Sequence, residues 1–280
     1  MTRAPRAGGE TTRPVKLGLR SRVARVGRRT WNDHLRFRLP RLLRVAMPGL
    51  FFSASEFGED KVLLDALREI PDRYYIDIGC WDPYAASDTY LLYRQGWSGL
   101  VIDANPRFAK AYKRLRPRDT FSDALVTGDG RDVVFVDSNG TSSASAEWQG
   151  LYPGRADARR SIRIQDLLDD LVPAGTGVGL LKIDVENLDA EILLAIDLPR
   201  LNPFVIMVEL HVLWADDLER HGVIAHMRDF GYRVIGHNRR NVILVHERRF
   251  LAARPELAKV YDAAARAGNS ALASFSQRTS

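Results

Sequence analysis

Cysteine is the scarcest residue. Cys80 stands alone among 280 residues, which excludes an internal disulfide framework and a cysteine-rich zinc cluster. A reducing compartment follows, with the cytoplasm as the default. Long apolar runs are missing too. None is long enough to span a bilayer, and the N-terminal region has no uninterrupted apolar segment of the signal-peptide kind. Two phosphate-binding patterns are absent: no P-loop occurs, and positions 79 to 84 read GCWDPY where a dinucleotide fingerprint needs three glycines. No internal repeat is visible. What is present, 45% hydrophobic and 27% charged residues, suits a globular chain with one substantial core and an appendage.

Charge is unevenly spread. The first 45 residues hold 13 Lys/Arg against Glu10 and Asp33, a balance of +11, and the rest carries −5. Leu19, Val23 and Val26 recur among arginines at roughly helical spacing, with Trp31 and Phe37 beyond. Such a basic amphipathic arm, residues 1–50, can lie on an anionic membrane, grip nucleic acid, or pack on the main domain as a leader. Nucleic acid is not the expected partner, because no base-stacking module accompanies the arm. The expected location is cytoplasmic, with the arm offering a peripheral attachment to the inner membrane face.

Past about Leu50 the pattern alternates. A helix is expected over Glu59 to Ile70, a strand over Tyr74 to Ile78, a helix over Ala86 to Gln95, and a strand over Leu100 to Asp103. A helix from Arg107 to Arg116 follows, then an irregular strand near Ala124 to Val126, an edge strand in DVVFVDS, and a small-residue loop through NGTSSASAEWQG. Later come the strands VGLLKIDV and PFVIMVEL, a helix from Leu188 to Ala195, another through DDLERHGVIAHMRDF, and a closing pair YRVIGH and NVILVHE. Strand and helix alternation with one terminal hairpin predicts a doubly wound α/β sheet over residues 51–250. A C-terminal helix, Glu256 to Arg266, and a mobile tail fill 251–280.

Ligands of such sheets bind at the carboxyl ends of strands, where strand order reverses. Gly79 ends the first strand, so the chain can turn there and let a ligand approach the backbone. Asp103, at the end of the next strand, can accept hydrogen bonds from a ribose diol, or cap the helix that follows. Asp77, inside an apolar strand, needs a partner to be buried.

The blocks SASEFGEDKVLLDAL, YYIDIGCWDPYAASDTYLLYRQGWSGLVIDANP, RPRD, LLKIDVENLDAEIL and PFVIMVEL resemble, in order and spacing, the FkbM-type S-adenosylmethionine-dependent methyltransferases. The resemblance covers roughly Ser53 to Val245. It implies a Rossmann-like class I methyltransferase sheet of seven strands, mostly parallel, with an antiparallel C-terminal hairpin. The cofactor implied is S-adenosylmethionine, and the reaction O-methylation of a hydroxyl, often on a sugar of a glycolipid, polysaccharide or natural product. The implied cofactor residues are Gly79 and Cys80 at the methionine end, Asp77 near the amino group or the turn amides, Asp103 and Ala104 at the ribose, Ser87 and Thr89 beside the cofactor, and Asp123 and Ala124 along the adenine. Cys80 also reads as a small buried thiol, and Ser87 as a helix N-cap. Where the family commonly has glycine after KIDVE, Asn187 stands here and tolerates the same left-handed turn.

Methyl transfer to oxygen needs alignment, exclusion of water and a proton acceptor. The candidates are Asp184 and Glu186, and Glu209 and His211, each pair set on one strand face by alternation. His211 has the ordinary pKa best suited to a base; its other reading is a strand cap. These acids can also gather a divalent metal, the less favoured reading, and no metal site is assigned. Lys182 pairs with one of the acids or the acceptor, or reaches solvent. Trp148, Tyr152 and Trp214 are expected to flank the mouth as a sugar platform. The alternative to an enzyme is a non-catalytic interaction module of the same fold, docked through its basic arm.

Overall fold

The computed structural model describes residues 53–138, 142–145, 154–212 and 215–255. The basic arm, the helix expected at 256–266, and Trp148, Tyr152 and Trp214 lie outside the described residues.

Strands β1 (Tyr74–Ile78) and β2 (Ser98–Ile102) form because their short apolar runs fit a strand buried on both faces. The same holds for β8 (Val178–Ile183) and β9 (Val205–Glu209), in which every residue is buried. Between them along the chain come β3 (Thr120–Ser122), β4 (Val126–Thr127), β5 (Asp132–Asp137), β6 (Arg155–Arg160) and β7 (Ile162–Arg163). β10 (Tyr232–His237) and β11 (Asn241–His246) close the series. The central sheet has seven strands in the order β10-β11-β9-β8-β1-β2-β3. All neighbours are parallel except β11, which runs antiparallel to both β10 and β9.

Alternation along the strands divides the core. Ile76, Ile78, Leu100, Ile102, Leu181, Ile183, Ile206 and Val208 face one way, against α4 (Ile164–Leu171), α5 (Asp189–Ala195) and α8 (Gly222–Asp229). Tyr75, Val101, Leu180, Met207 and Ile243 face the other way, against α1 (Glu59–Ala66), α2 (Tyr90–Arg94), α3 (Ala109–Leu115) and α9 (Glu247–Ala253). Asp77 and Lys182 belong by alternation to this second face, and they are direct cross-strand neighbours in the β1 and β8 register.

Several expected elements shift. The strand beside β2 is Thr120–Ser122, while Val126–Thr127 pairs with β7 in a separate two-stranded sheet. The DVVFVDS run is not an edge of the main sheet; it pairs antiparallel with β6, whose sequence RADARR lacks the apolar alternation that would announce a strand. The helix expected from Ala86 begins only at Tyr90, and Ala86 itself adopts φ 52°, a value no α-helix contains. The run from 216 to 230 breaks into α7 (Ala215–Arg220) and α8 at His221, whose ψ of 126° is extended. The remaining helix, α6, spans Leu198–Leu201.

Candidate active site

Strand order reverses at β1, which is flanked by β2 on one side and β8 on the other, so the crevice at their carboxyl ends is the expected ligand position. Gly79 turns the chain there at φ 79°. A Cβ at this position would lie 1.7 Å from the carbonyl oxygen of Asp184, so no residue with a side chain fits without parting β1 from the end of β8. The amides of Gly79 and Cys80 both donate to the Ile102 carbonyl at 2.8 and 3.0 Å. That pins the turn to the end of β2.

Asp77, 1% exposed, accepts the Thr89 hydroxyl at 2.6 Å and lies 3.3 Å from the Lys182 ammonium. Its Oδ1 accepts no hydrogen bond. Lys182, 4% exposed, donates to the Gly79 carbonyl at 2.9 Å and approaches Asp184 at 3.5 Å. Burial alone would lower the Lys182 pKa, yet the charges of Asp77, Asp184 and Asp88 raise it well above the usual lysine value. The ammonium therefore stays charged and offsets the desolvation of Asp77.

Beneath this pair lies Arg116, which is fully buried. Its guanidinium donates to Asp119 at 2.6 Å, the Tyr75 hydroxyl at 2.8 Å, Thr89 at 3.0 Å and Ser87 at 3.2 Å. Tyr75 in turn donates to Asp119 at 2.6 Å. Ser87 is thus an acceptor for arginine and no helix cap, and Thr89 relays the arginine to Asp77.

Asp103 accepts the backbone amides of Trp81 and Asn105, each at 2.9 Å, with one bond on each carboxylate oxygen. Burial raises its pKa. The Ala104 carbonyl is fastened by Arg159, and the Asn105 side chain by Asp137, at 2.7 and 2.9 Å. The β5–β6 hairpin thereby holds the end of β2. Cys80 is buried and its pKa is raised by that burial, the state of a packed thiol and not of a nucleophile. Asp123 is exposed and Ala124 half-buried just past β3.

The second half of the site sits at the ends of β8 and β9. β8 stops before both Asp184 and Glu186, and β9 stops at Glu209, before His211; Glu186 has φ 58° and His211 φ 47°, so tight turns, not strand pleats, bring these two in. Asn187 follows at φ 78°, the left-handed turn expected of asparagine. Asp189 clamps this turn by accepting the Val185 and Asn187 amides at 2.8 and 3.0 Å. The described part of the small-residue loop docks here, with Ser143 donating to the Glu186 carbonyl at 2.6 Å. Glu209 lies 3.5 Å from His211 and 3.7 Å from Arg240, which comes from the turn between β10 and β11. Burial first, and then the charges of Asp184, Glu186 and Asp189, push Glu209 up to about 9. Burial and Asp184 likewise push Glu186 and Asp189 up to about 7. Burial and then Arg240 lower the His211 pKa, leaving it neutral near pH 7.

These raised values set a sign for stability. An acid whose folded pKa exceeds its unfolded one stabilises the fold at low pH, and that contribution is lost as pH rises through the folded value. Raising the pH from about 4.5 to 9 is therefore expected to lower the melting temperature of metal-free protein, followed by circular dichroism. Glu209→Gln should flatten the decline; an unchanged slope would show that Glu209 is not the group responsible.

Arg116, Asp189 and Arg240 had no role in the sequence reading. The joined RPRD block and the basic residue in the NRR turn were visible, but only the folded registers bring them to the site.

A seven-stranded sheet of this order, with a glycine turn at its reversal point, defines a Rossmann-like methyltransferase fold. The model of the methyltransferase FkbM domain matches residues 77–234, more than half of the chain, and the protein belongs to that family of methyltransferases. No curated protein matches it. The residues fit the cofactor that the family implies. Gly79 and Cys80 turn the chain at the carboxyl end of β1, Asp103 keeps a lone pair on each oxygen beyond its two amide bonds, and the half-buried Asp184 side chain beside the turn suits a cationic sulfonium. Among the described residues no helix is long and apolar enough to cross a membrane.

Proposed function

We propose that the protein transfers a methyl group from S-adenosylmethionine to a hydroxyl oxygen of a sugar, carried by a glycolipid, polysaccharide or glycosylated natural product. The turn at Gly79, closed against Asp184 at the reversal point of the sheet, is the observation that carries this reading. When bound, the cofactor supplies an electrophilic methyl on sulfur. Asp103 keeps one lone pair per oxygen beyond its two amide bonds and would accept the ribose hydroxyls. Asp77, already paired through Oδ1 with the Lys182 ammonium at 3.3 Å and through Oδ2 with Thr89, would set the charge beside the amino group, and Arg116 behind Thr89 fixes its position.

Proton removal falls to His211. Its pKa is lowered by burial and Arg240, it is exposed at the rim, and the nearby charge of Asp184 favours the imidazolium that would form. Asp184 lines the cradle through its carbonyl and presents its half-buried carboxylate on the same side as Lys182.

Calorimetric titration with S-adenosylhomocysteine tests the cofactor half. Micromolar binding is expected, weakened at least about tenfold in Asp103→Ala, the scale of one lost charge-assisted hydrogen bond. A folded wild-type protein that takes up no S-adenosylhomocysteine would overturn the proposal.

A further inference from the structure

We propose that Asp184, Asp189 and Glu209 form a binding site for one divalent cation. Each offers an oxygen, and the three lie within 4.8 Å of one another. That span is about twice a Ca²⁺–oxygen bond of roughly 2.4 Å, so a cation among them reaches all three after small side-chain rotations. The donors come from the residue after β8, the first residue of α5 and the last residue of β9, and the Asp189 bonds to two turn amides hold one of them rigidly.

An independent observation points into this cluster. Glu209 is 4% exposed, and its buried Oε2 accepts no hydrogen bond. Oε2 has the His211 ring at 3.5 Å and Oε1 the Arg240 guanidinium at 3.7 Å, both beyond ordinary hydrogen-bond length. A buried carboxylate oxygen without a donor is costly. Three carboxylates this close also cannot all stay charged without a counter-charge among them, and Lys182 is already shared with Asp77.

Oxygen donors alone select a hard cation, Mg²⁺, Mn²⁺ or Ca²⁺, over thiophilic metals. Glu209 is also shared with a second group, Glu186 and His211. A site built on that group would include an imidazole and prefer Zn²⁺ or Ni²⁺. On the methyltransferase reading, a cation on the first group leaves the His211 imidazole uncoordinated to act as base and can offer a coordination position to the acceptor oxygen.

The experiment uses the full chain, stripped with EDTA and free of cofactor, titrated with Mn²⁺ while the spin-resonance signal of free Mn²⁺ is followed. One Mn²⁺ per chain is expected, with a dissociation constant below about 10⁻⁴ M and displacement by Mg²⁺ or Ca²⁺. Glu209→Gln and Asp184→Asn should each weaken binding at least about tenfold, and His211→Ala by less than about threefold. Circular dichroism and melting report whether each variant folds; Asp184→Asn, at a half-buried position, serves if Glu209→Gln does not. No binding at about 1 mM Mn²⁺ would overturn the proposal. So would full affinity in a folded Asp184→Asn, or loss in His211→Ala with preference for Zn²⁺. S-adenosylhomocysteine titrated into the same sample separates the two readings. Mn²⁺ bound without it leaves the cation site and removes the methyltransferase role, whereas the reverse removes the cation alone.

Discussion

Gly79→Ala is expected to abolish S-adenosylhomocysteine binding and to destabilise the domain by about 2–6 kcal/mol, the sum of left-handed strain and overpacking. Two causes act together: φ is 79°, and the new Cβ would stand 1.7 Å from the Asp184 carbonyl oxygen and 2.6 Å from its carbon. Both atoms are backbone, so relief requires the end of β8 to move away from β1. Gly96→Ala separates the causes. Gly96 has φ 90° with nothing within 4 Å of its added Cβ, so it carries the dihedral cost alone, about 1–2 kcal/mol, and should bind ligand as the wild type does. Urea unfolding and calorimetry on both variants decide the matter. If Gly79→Ala behaves like Gly96→Ala, the close approach is not the reason for glycine at this turn.

Arg116→Met should cost about 3–5 kcal/mol, the usual loss when one member of a buried ion pair is removed. Asp119 would keep Tyr75 and the Gly99 amide as donors at 2.6 and 3.1 Å, but its charge would lose the only cation bonded to it among the described residues. Thr89 and Ser87 would lose their donor as well. Methionine matches the length of the side chain but supplies none of its hydrogen bonds. Arg116→Lys should recover little, since a single ammonium cannot span four acceptors that a planar guanidinium reaches at once. The readouts are the urea midpoint and the affinity for S-adenosylhomocysteine. A loss below about 1 kcal/mol would place the network among the dispensable contacts.

Much of the fold is legible because its central strands are buried on both faces. The run YYIDI needed no context to read as a strand, and β8 and β9 followed the same rule. The small β5–β6 hairpin escaped because RADARR is held by backbone pairing with β5, and its six residues are almost all exposed. No apolar period can announce such a strand. At the site, Gly79 and Asp103 were found because a turn and a strand end carry position in themselves. The need of Asp77 for a partner was recognised, but not which residues of the chain supply one. It is Lys182, its neighbour one strand over, with Thr89 above, and cross-strand register is not written in any local pattern. The strand periodicity applied to Glu186 and His211 failed for a related reason. The pleat ends before them, and positive φ values gather them instead.

The antiparallel strand β11 has a consequence in time. Every residue that holds Asp77 and Asp103 from the first half of the chain lies between Tyr75 and Asp119, apart from Lys182 on β8. Glu209 is different. The backbone carbonyl of Arg240 receives the Leu210 and His211 amides at 2.8 and 3.2 Å, and β9 has no neighbour on that side until Asn241–His246 pairs with it. A chain leaving the ribosome thus completes the Gly79 cradle once β8 has emerged, while the Glu209 and His211 corner waits for the last hairpin. During synthesis the half of the site proposed to hold the methyl donor precedes the half proposed to use it.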